Sequence, residues 1–153
     1  MKTLRALLIV LVAVSLGIAV TAFKPKPATT KLTVVEHADT DAVTDTGEKG
    51  DTAGDILTFA NKVFDEKNAT EVGSDNGMCF RTVASKDGAW ECTWILTLKD
   101  GQITVEGPFY DTKDSVLAIT GGTGSYSGAR GQMTLHARND KGTEYDFIYE
   151  IES

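Results

Sequence analysis

Apolar and polar residues alternate with a period of two along most of the chain, in runs bounded by Gly, Asp, Asn or Ser. That alternation sets one face of a half-buried strand against solvent. No window repeats apolar residues at i, i+3, i+4 and i+7 between helix caps. Eight strands are predicted: Lys31–His37, Asp55–Phe64, Gly77–Ala84, Trp90–Leu98, Gln102–Gly107, Ser115–Thr120, Ala129–Ala137 and Thr143–Ile151. Asp87-Gly88 and Asp100-Gly101 supply the positive-φ positions of hairpin turns, and Asn139-Asp140-Lys141-Gly142 does the same before the last strand. Links this short make neighbours antiparallel, and no crossover helix is available for a parallel sheet.

Alternation also assigns faces. Leu57, Phe59, Asn61 and Val63 share one side of the second strand; Trp90, Cys92, Trp94, Leu96 and Leu98 share one side of the fourth. Tyr145, Phe147, Tyr149 and Ile151 do so in the last. One large apolar and aromatic inner face fits a sandwich or a barrel, and sequential hairpins favour closure, which removes exposed edges. The expected fold is all-β: an eight-stranded antiparallel β-barrel, a size that can leave room for one small ligand.

The first segment changes the picture of compartment. Lys2 and Arg5 precede an apolar run from Ala6 to Val20, and Val20-Thr21-Ala22 supplies the small residues of a cleavage site. Residues 1–22 read as a secretory signal peptide. The run is short for a span of ~20 residues, so no stable membrane insertion is expected after cleavage. Residues 23–30 form a Lys/Pro/Thr tether, and 31–153 form one domain that is secreted or periplasmic. The charge of −7, from 22 acidic and 15 basic residues, argues against nucleic acid, whose phosphates need clustered Lys and Arg.

Export bears on Cys79 and Cys92, because disulfides persist in oxidising compartments. A four-residue turn would pair Ala84 with Ala89 and set Cys79 opposite Trp94. The cysteines would then share a face but be offset by two positions. A bulge or looser turn would bring them into bonding range; without one they form a free buried pair.

Few residues announce chemistry. Gly121 to Gly128 resembles a phosphate loop, but a strand pattern follows it where a phosphate cradle needs a helix N-terminus, so it reads as a tight barrel turn. Asp39, Asp41, Asp45, Glu48 and Asp51 crowd a polar loop with no calcium-binding spacing and read as a solvated, flexible segment. Two cysteines and two histidines are too few for a structural zinc site, and no metal is expected. Asn61 and Arg81 stand out as polar groups on inward faces, where each needs partners. Arg81 would bind a substrate carboxylate, pair with an internal acid, or escape to solvent at a barrel mouth.

Gly54-Asp55-Ile56-Leu57-Thr58-Phe59-Ala60-Asn61-Lys62 resembles a second-strand signature of the allene oxide cyclase family. The likeness continues through Gly77-Met78-Cys79 and the run from Asp100 to Phe109. It is strongest from Leu117 to Gln132, which also resembles the glycine signature of dirigent proteins. The resemblance implies an eight-stranded barrel, often a homotrimer, with an apolar cavity. It implies cofactor-free closure of an unstable fatty-acid epoxide to a cyclopentenone, with the cavity folding the chain and excluding water. Asn61 matches an asparagine that holds an oxyanion-stabilising water, Cys79 a cavity cysteine, and Glu36 a glutamate that assists charge delocalisation. Leu57, Phe59, Trp90, Phe109 and Phe147 are the expected apolar and aromatic substrate contacts, with Arg81 beside them. The family's Ser-Pro pair after the first strand is missing, and Phe109 replaces an aromatic hydroxyl.

Three outcomes separate the readings. Asn61 and Glu36 facing an open cavity would mark a cyclase or isomerase of a hydrophobic small molecule. An open cavity with the same groups bonded only to each other would mark a dirigent-like or lipocalin-like binder. Trp94, Phe147 and Tyr149 packed without a void would mark a purely structural oligomer.

Overall fold

The computed structural model describes residues 28–152. The expected signal peptide and most of the tether lie outside the described residues. Among the described residues there are nine strands and no helix: β1 (Thr29–His37), β2 (Ala42–Thr44), β3 (Ile56–Asp65), β4 (Glu71–Val83), β5 (Ala89–Leu98), β6 (Gly101–Tyr110), β7 (Ser115–Gly124), β8 (Arg130–Ala137) and β9 (Glu144–Glu152). The sheet order is β1-β9-β8-β7-β6-β5-β4-β3-β2, and β1 also pairs with β3, closing an eight-stranded antiparallel barrel. The ninth strand, β2, was not anticipated. It lies outside the closed ring, on the lower part of the β3 edge that β1 occupies higher up, pairing Val43 with Leu57.

The predicted faces hold. Inward residues of every long strand fill the core, where Val34, Leu96, Ile103, Val105, Leu117, Met133 and Tyr149 have at most 1% exposure. Each such apolar side chain contributes on the order of 1.5–3 kcal/mol relative to its exposed state. Trp94 stacks on Phe147 with centroids 5.3 Å apart and closes off the middle of the barrel. Free space lies at one end, and a further hollow of about 160 Å³ sits against the 125–129 turn at the other.

Two strand boundaries differ instructively. β1 starts at Thr29, inside the expected tether, because Thr29 and Thr30 pair with Glu152 and Ile151 of β9. β4 starts at Glu71, six residues early, through Gly73-Ser74-Asp75-Asn76-Gly77, which looks like a turn. A side chain at Gly77 would collide with Trp94 and Phe59. That glycine marks close packing across strands and not a bend.

The cysteine register is corrected as well. The hairpin closes at Val83–Ala89, and a bulge between Arg81 and Val83 shifts the pairing again. Cys79 is thereby set directly opposite Cys92, with Gly77 opposite Trp94. The two form a disulfide across a sequence separation of 13. It contributes about 2–3 kcal/mol by restricting the unfolded chain.

Strand directions gather four loops at one end of the barrel: 38–55, 84–88, 111–114 and 138–143. This end is the mouth. The Gly124–Gly128 turn lies at the opposite end, with positive φ at both glycines (59° and 78°), and leads into β8. It is the barrel turn its alternating sequel predicted.

Candidate functional site

The mouth holds a small chamber of about 30 Å³, walled by Glu36, Asp41, Leu57, Phe59, the Cys79–Cys92 disulfide, Trp94, Phe109, Leu135, Tyr145 and Phe147. That volume accommodates about two waters. A larger vestibule of about 540 Å³ lies between loops 111–114 and 138–143 and shares Phe109, Leu135 and Tyr145 with the chamber. Lys113, Arg138 and Lys141 stand at its rim among Asp111, Asp114 and Asp140. A ligand larger than a few atoms must occupy the vestibule and reach the chamber past these shared side chains.

Asn61 organises the chamber's polar wall. Its amide nitrogen donates to Glu36 Oε1 and, at 2.7 Å, to Asp41 Oδ1. Its carbonyl oxygen accepts from Thr40 N (2.9 Å) and Thr40 Oγ1 (2.8 Å). Two donors and two acceptor sites are the full capacity of an asparagine amide. Asn61 thus locks β3, β1 and the 38–41 segment together, and all its hydrogen-bonding groups are engaged by protein.

Glu36 is different. Its Oε2 is buried without a protein partner, and the residue is 3% exposed. Burial, with the neighbouring Asp75 adding to it, pushes the Glu36 carboxyl up to about 9, against the smaller opposing effect of the Asn61 bond. A carboxyl whose value is raised this far holds its proton at neutral pH and is available as a hydrogen-bond donor. Tyr145 in the same wall is driven up to about 12 by burial and then by Glu36. It too remains a donor.

The acidic segment is exposed, as its reading as a solvated loop expects, but two of its carboxylates tie it to the barrel at the mouth. Asp41 is bonded to Asn61, and Asp51 grips Arg81 through two contacts, Nε–Oδ1 at 2.7 Å and Nη2–Oδ2 at 2.8 Å. Asp55 receives the backbone N–H groups of Thr52 (2.8 Å) and Thr46 (3.1 Å), which hold its carboxyl below the usual range. Arg81, 5% exposed, also pairs with Asp111 at 2.7 Å. Its guanidinium lies 4.8 Å from the centre of the Trp90 ring, and Trp90 Nε1 donates to Asp111. Of the three fates the sequence left open for Arg81, pairing with acids is the one observed.

Of the expected site residues, Glu36, Leu57, Phe59, Cys79, Phe109 and Phe147 come together in the chamber, with Asn61 bonded behind Glu36. Arg81 and Trp90 lie beside the mouth, bracing the loops. Cys79 is in the wall as half of a disulfide and has no thiol to offer. Asp75 and Tyr149, both fully buried, carried no signal in the sequence beyond alternation. Asp75 was hidden in the turn-like start of β4.

Comparison with known proteins places this geometry. A pyocyanin demethylase of known structure is 27% identical and superposes with a TM-score of 0.67, over 78% of this chain and all of that one. A pterocarpan synthase dirigent protein is 14% identical with a TM-score of 0.64, over 84% of this chain and 96% of that one. The Diels–Alderase AbmU from Streptomyces koyangensis is 14% identical with a TM-score of 0.62, over 83% of this chain and 69% of that one. The last two likenesses show a shared barrel fold. The sequence profile of the allene oxide cyclases matches residues 30–139, well over half of the protein, and the chain belongs to the allene oxide cyclase family.

Proposed function

We propose that this protein is an exported, cofactor-free cyclase or isomerase of a hydrophobic small molecule, such as an oxidised fatty-acid derivative, with Glu36 as its acid. The observation that carries the reading is the buried Glu36 oxygen without a protein partner in an aromatic wall. In the proposed reaction the substrate enters through the vestibule and lays its apolar part against Phe109, Tyr145 and Leu135. Its reacting oxygen points at Glu36, whose O–H stabilises the negative charge that develops on ring opening and closure. The disulfide, Phe59, Trp94 and Phe147 restrict the substrate to few conformations and keep bulk water away. Asn61 positions Glu36 by holding Oε1 and so acts through it.

Glu36→Gln keeps the shape and the Asn61 contact but removes the transferable proton. A racemic background reaction is the natural reference: an unstable fatty-acid epoxide generated in solution closes without stereochemical control. Wild type should give one cyclopentenone stereoisomer in excess, and Glu36→Gln should lose about 10²-fold or more in rate. Equal stereochemical excess from both proteins would remove Glu36 from the mechanism.

A second reading is favoured by Asn61, whose bonds are all made within the protein: a dirigent-like binder that holds a hydrophobic ligand without acting on it. Ligand retention with no turnover by wild type would select it. Export to a secreted or periplasmic location rests on the signal in residues 1–22 and on the disulfide. For assembly we propose a homotrimer. Met78, Phe80 and Ile95 stand exposed at neighbouring outward positions of β4 and β5 and offer an apolar wall for a second copy. Native mass spectrometry should find three chains together; a monomer at micromolar concentration would exclude this.

A further inference from the structure

Beneath the chamber lies a second set of polar groups that the proposed reaction does not use. Asp75 on β4 faces inward one step below Gly77, opposite Asn61 of β3 and Leu96 of β5. Both of its oxygens are buried, and neither has a protein partner among the described residues. The Trp94 indole N–H and the Tyr149 hydroxyl are also buried and unpartnered, like Glu36 Oε2. The Trp94 N–H and the Tyr149 oxygen lie near enough to interact, though short of hydrogen-bond geometry, and the charges of Asp75 and Glu36 reach both Tyr149 and each other. Five orphaned polar atoms on four strands therefore surround one interior region. Leaving a buried group unsatisfied costs about 1–3 kcal/mol, and native proteins meet that cost with internal water.

We propose that Asp75 is the proton reservoir of the site, exchanging its proton with Glu36 through internal water held by Tyr149 and Trp94. This rests on the reading of Glu36 as the acid. Glu36 gives its proton to the substrate oxygen and becomes a carboxylate. An internal water then passes a proton to Glu36 and takes one from Asp75, which carries the negative charge while the intermediate lasts. When ring closure expels the proton from the product oxygen, the same steps run backwards, so no proton is consumed. Trp94 screens Asp75 from the mouth, and the reservoir is reached from within the barrel. Asp75 faces Asn61 from β3 and Leu96 from β5, with Trp94 one step toward the mouth, and Glu36 from β1, Tyr149 from β9 and Asp41 from the mouth loop are within reach of its charge. No basic side chain is among them. Burial and Asp41 accordingly hold Asp75 up to about 8, which keeps its proton in place at neutral pH.

Infrared titration of the ligand-free full chain tests this without a substrate. At about pH 6 wild type should show two buried protonated-carboxyl bands. Glu36→Gln should remove one and Asp75→Asn the other, and Asp75→Asn should also lower the pH at which Glu36 ionises. Carboxyl-labelled [¹³C]aspartate shifts only the Asp75 band, so the assignment stands even if Asp75→Asn fails to fold. If the labelled band is absent at pH 6, Asp75 is ionised and the reservoir is rejected while Glu36 survives. If the unlabelled band is absent, the acid reading itself fails. A long-lived water should cross-relax with the Trp94 indole proton by NMR. If none does, the proposed link between the two carboxyls is broken.

Discussion

Raising the pH from about 5 to about 9 should destabilise the folded protein by at least about 2 kcal/mol, with a continuous decline across the neutral range. Glu36 and Asp75 are the cause. Their folded-state values, raised to about 9 and about 8, lie above those of the unfolded chain, so between roughly pH 4 and pH 8 the folded barrel holds protons that the unfolded chain releases. The folded state binding more protons means stability falls as pH rises, by up to about 1.4 kcal/mol per pH unit for each group. The contribution is complete below the unfolded values and lost as the pH passes the folded ones. At the acid end the sign reverses. Asp55 and Asp65 are held low chiefly by backbone N–H groups, and their contribution disappears as they protonate. Greatest stability is thus expected on the acid side of neutrality. Urea midpoints measured across this range, with an unchanged m-value, would show the slope, and Glu36→Gln with Asp75→Asn should flatten it. A wild-type midpoint constant from pH 5 to 9 would mean that neither carboxyl is protonated in the fold.

Arg81→Met should cost about 3 kcal/mol or somewhat more. Methionine keeps much of the side-chain stem against Trp90 but removes the cation that Asp51 and Asp111 share. Asp111 is 28% exposed and Asp51 53%, so water relieves part of the penalty and the loss sits at the low end for a broken buried pair. The structural effect should be local. With Asp51 released, the 45–55 segment keeps only the Asp55 and backbone contacts near β3. Limited proteolysis should then cut within that segment well before the barrel unfolds. A midpoint shift below about 1 kcal/mol, or cleavage no faster than in wild type, would show that the segment is held by something other than Arg81.

The barrel was legible because its evidence is local. Alternation in Trp90–Leu98 and Tyr145–Ile151 identifies inward residues whatever their partners are, and β5 and β9 fall where expected. The register of Cys79 was not legible: the hairpin closes one residue earlier and a bulge follows, and together they shift the pairing by two. Nothing in Arg81-Thr82-Val83 marks that bulge. The site divides along the same line. Asn61 was readable from inward position and resemblance, and Glu36 from resemblance alone. Their bond, and the partnership of Asp51 with Arg81 across 30 positions, depend on how the chain returns upon itself. Asp75 escaped because Gly73-Ser74-Asp75-Asn76-Gly77 has the composition of a turn. Gly77 serves instead to let Trp94 and Phe59 pass close by.

Thr29 pairs with Glu152, so the first and last described strands finish side by side, at the pole opposite the Arg81 clamp. A purification tag, a surface linker or a fused partner joined directly to Thr29 or Glu152 would leave from that pole and keep the mouth unobstructed. The same adjacency makes the barrel a natural subject for circular permutation: a brief bridge would join Thr29 to Glu152, and new ends could be opened at the 99–100 hairpin without disturbing the mouth.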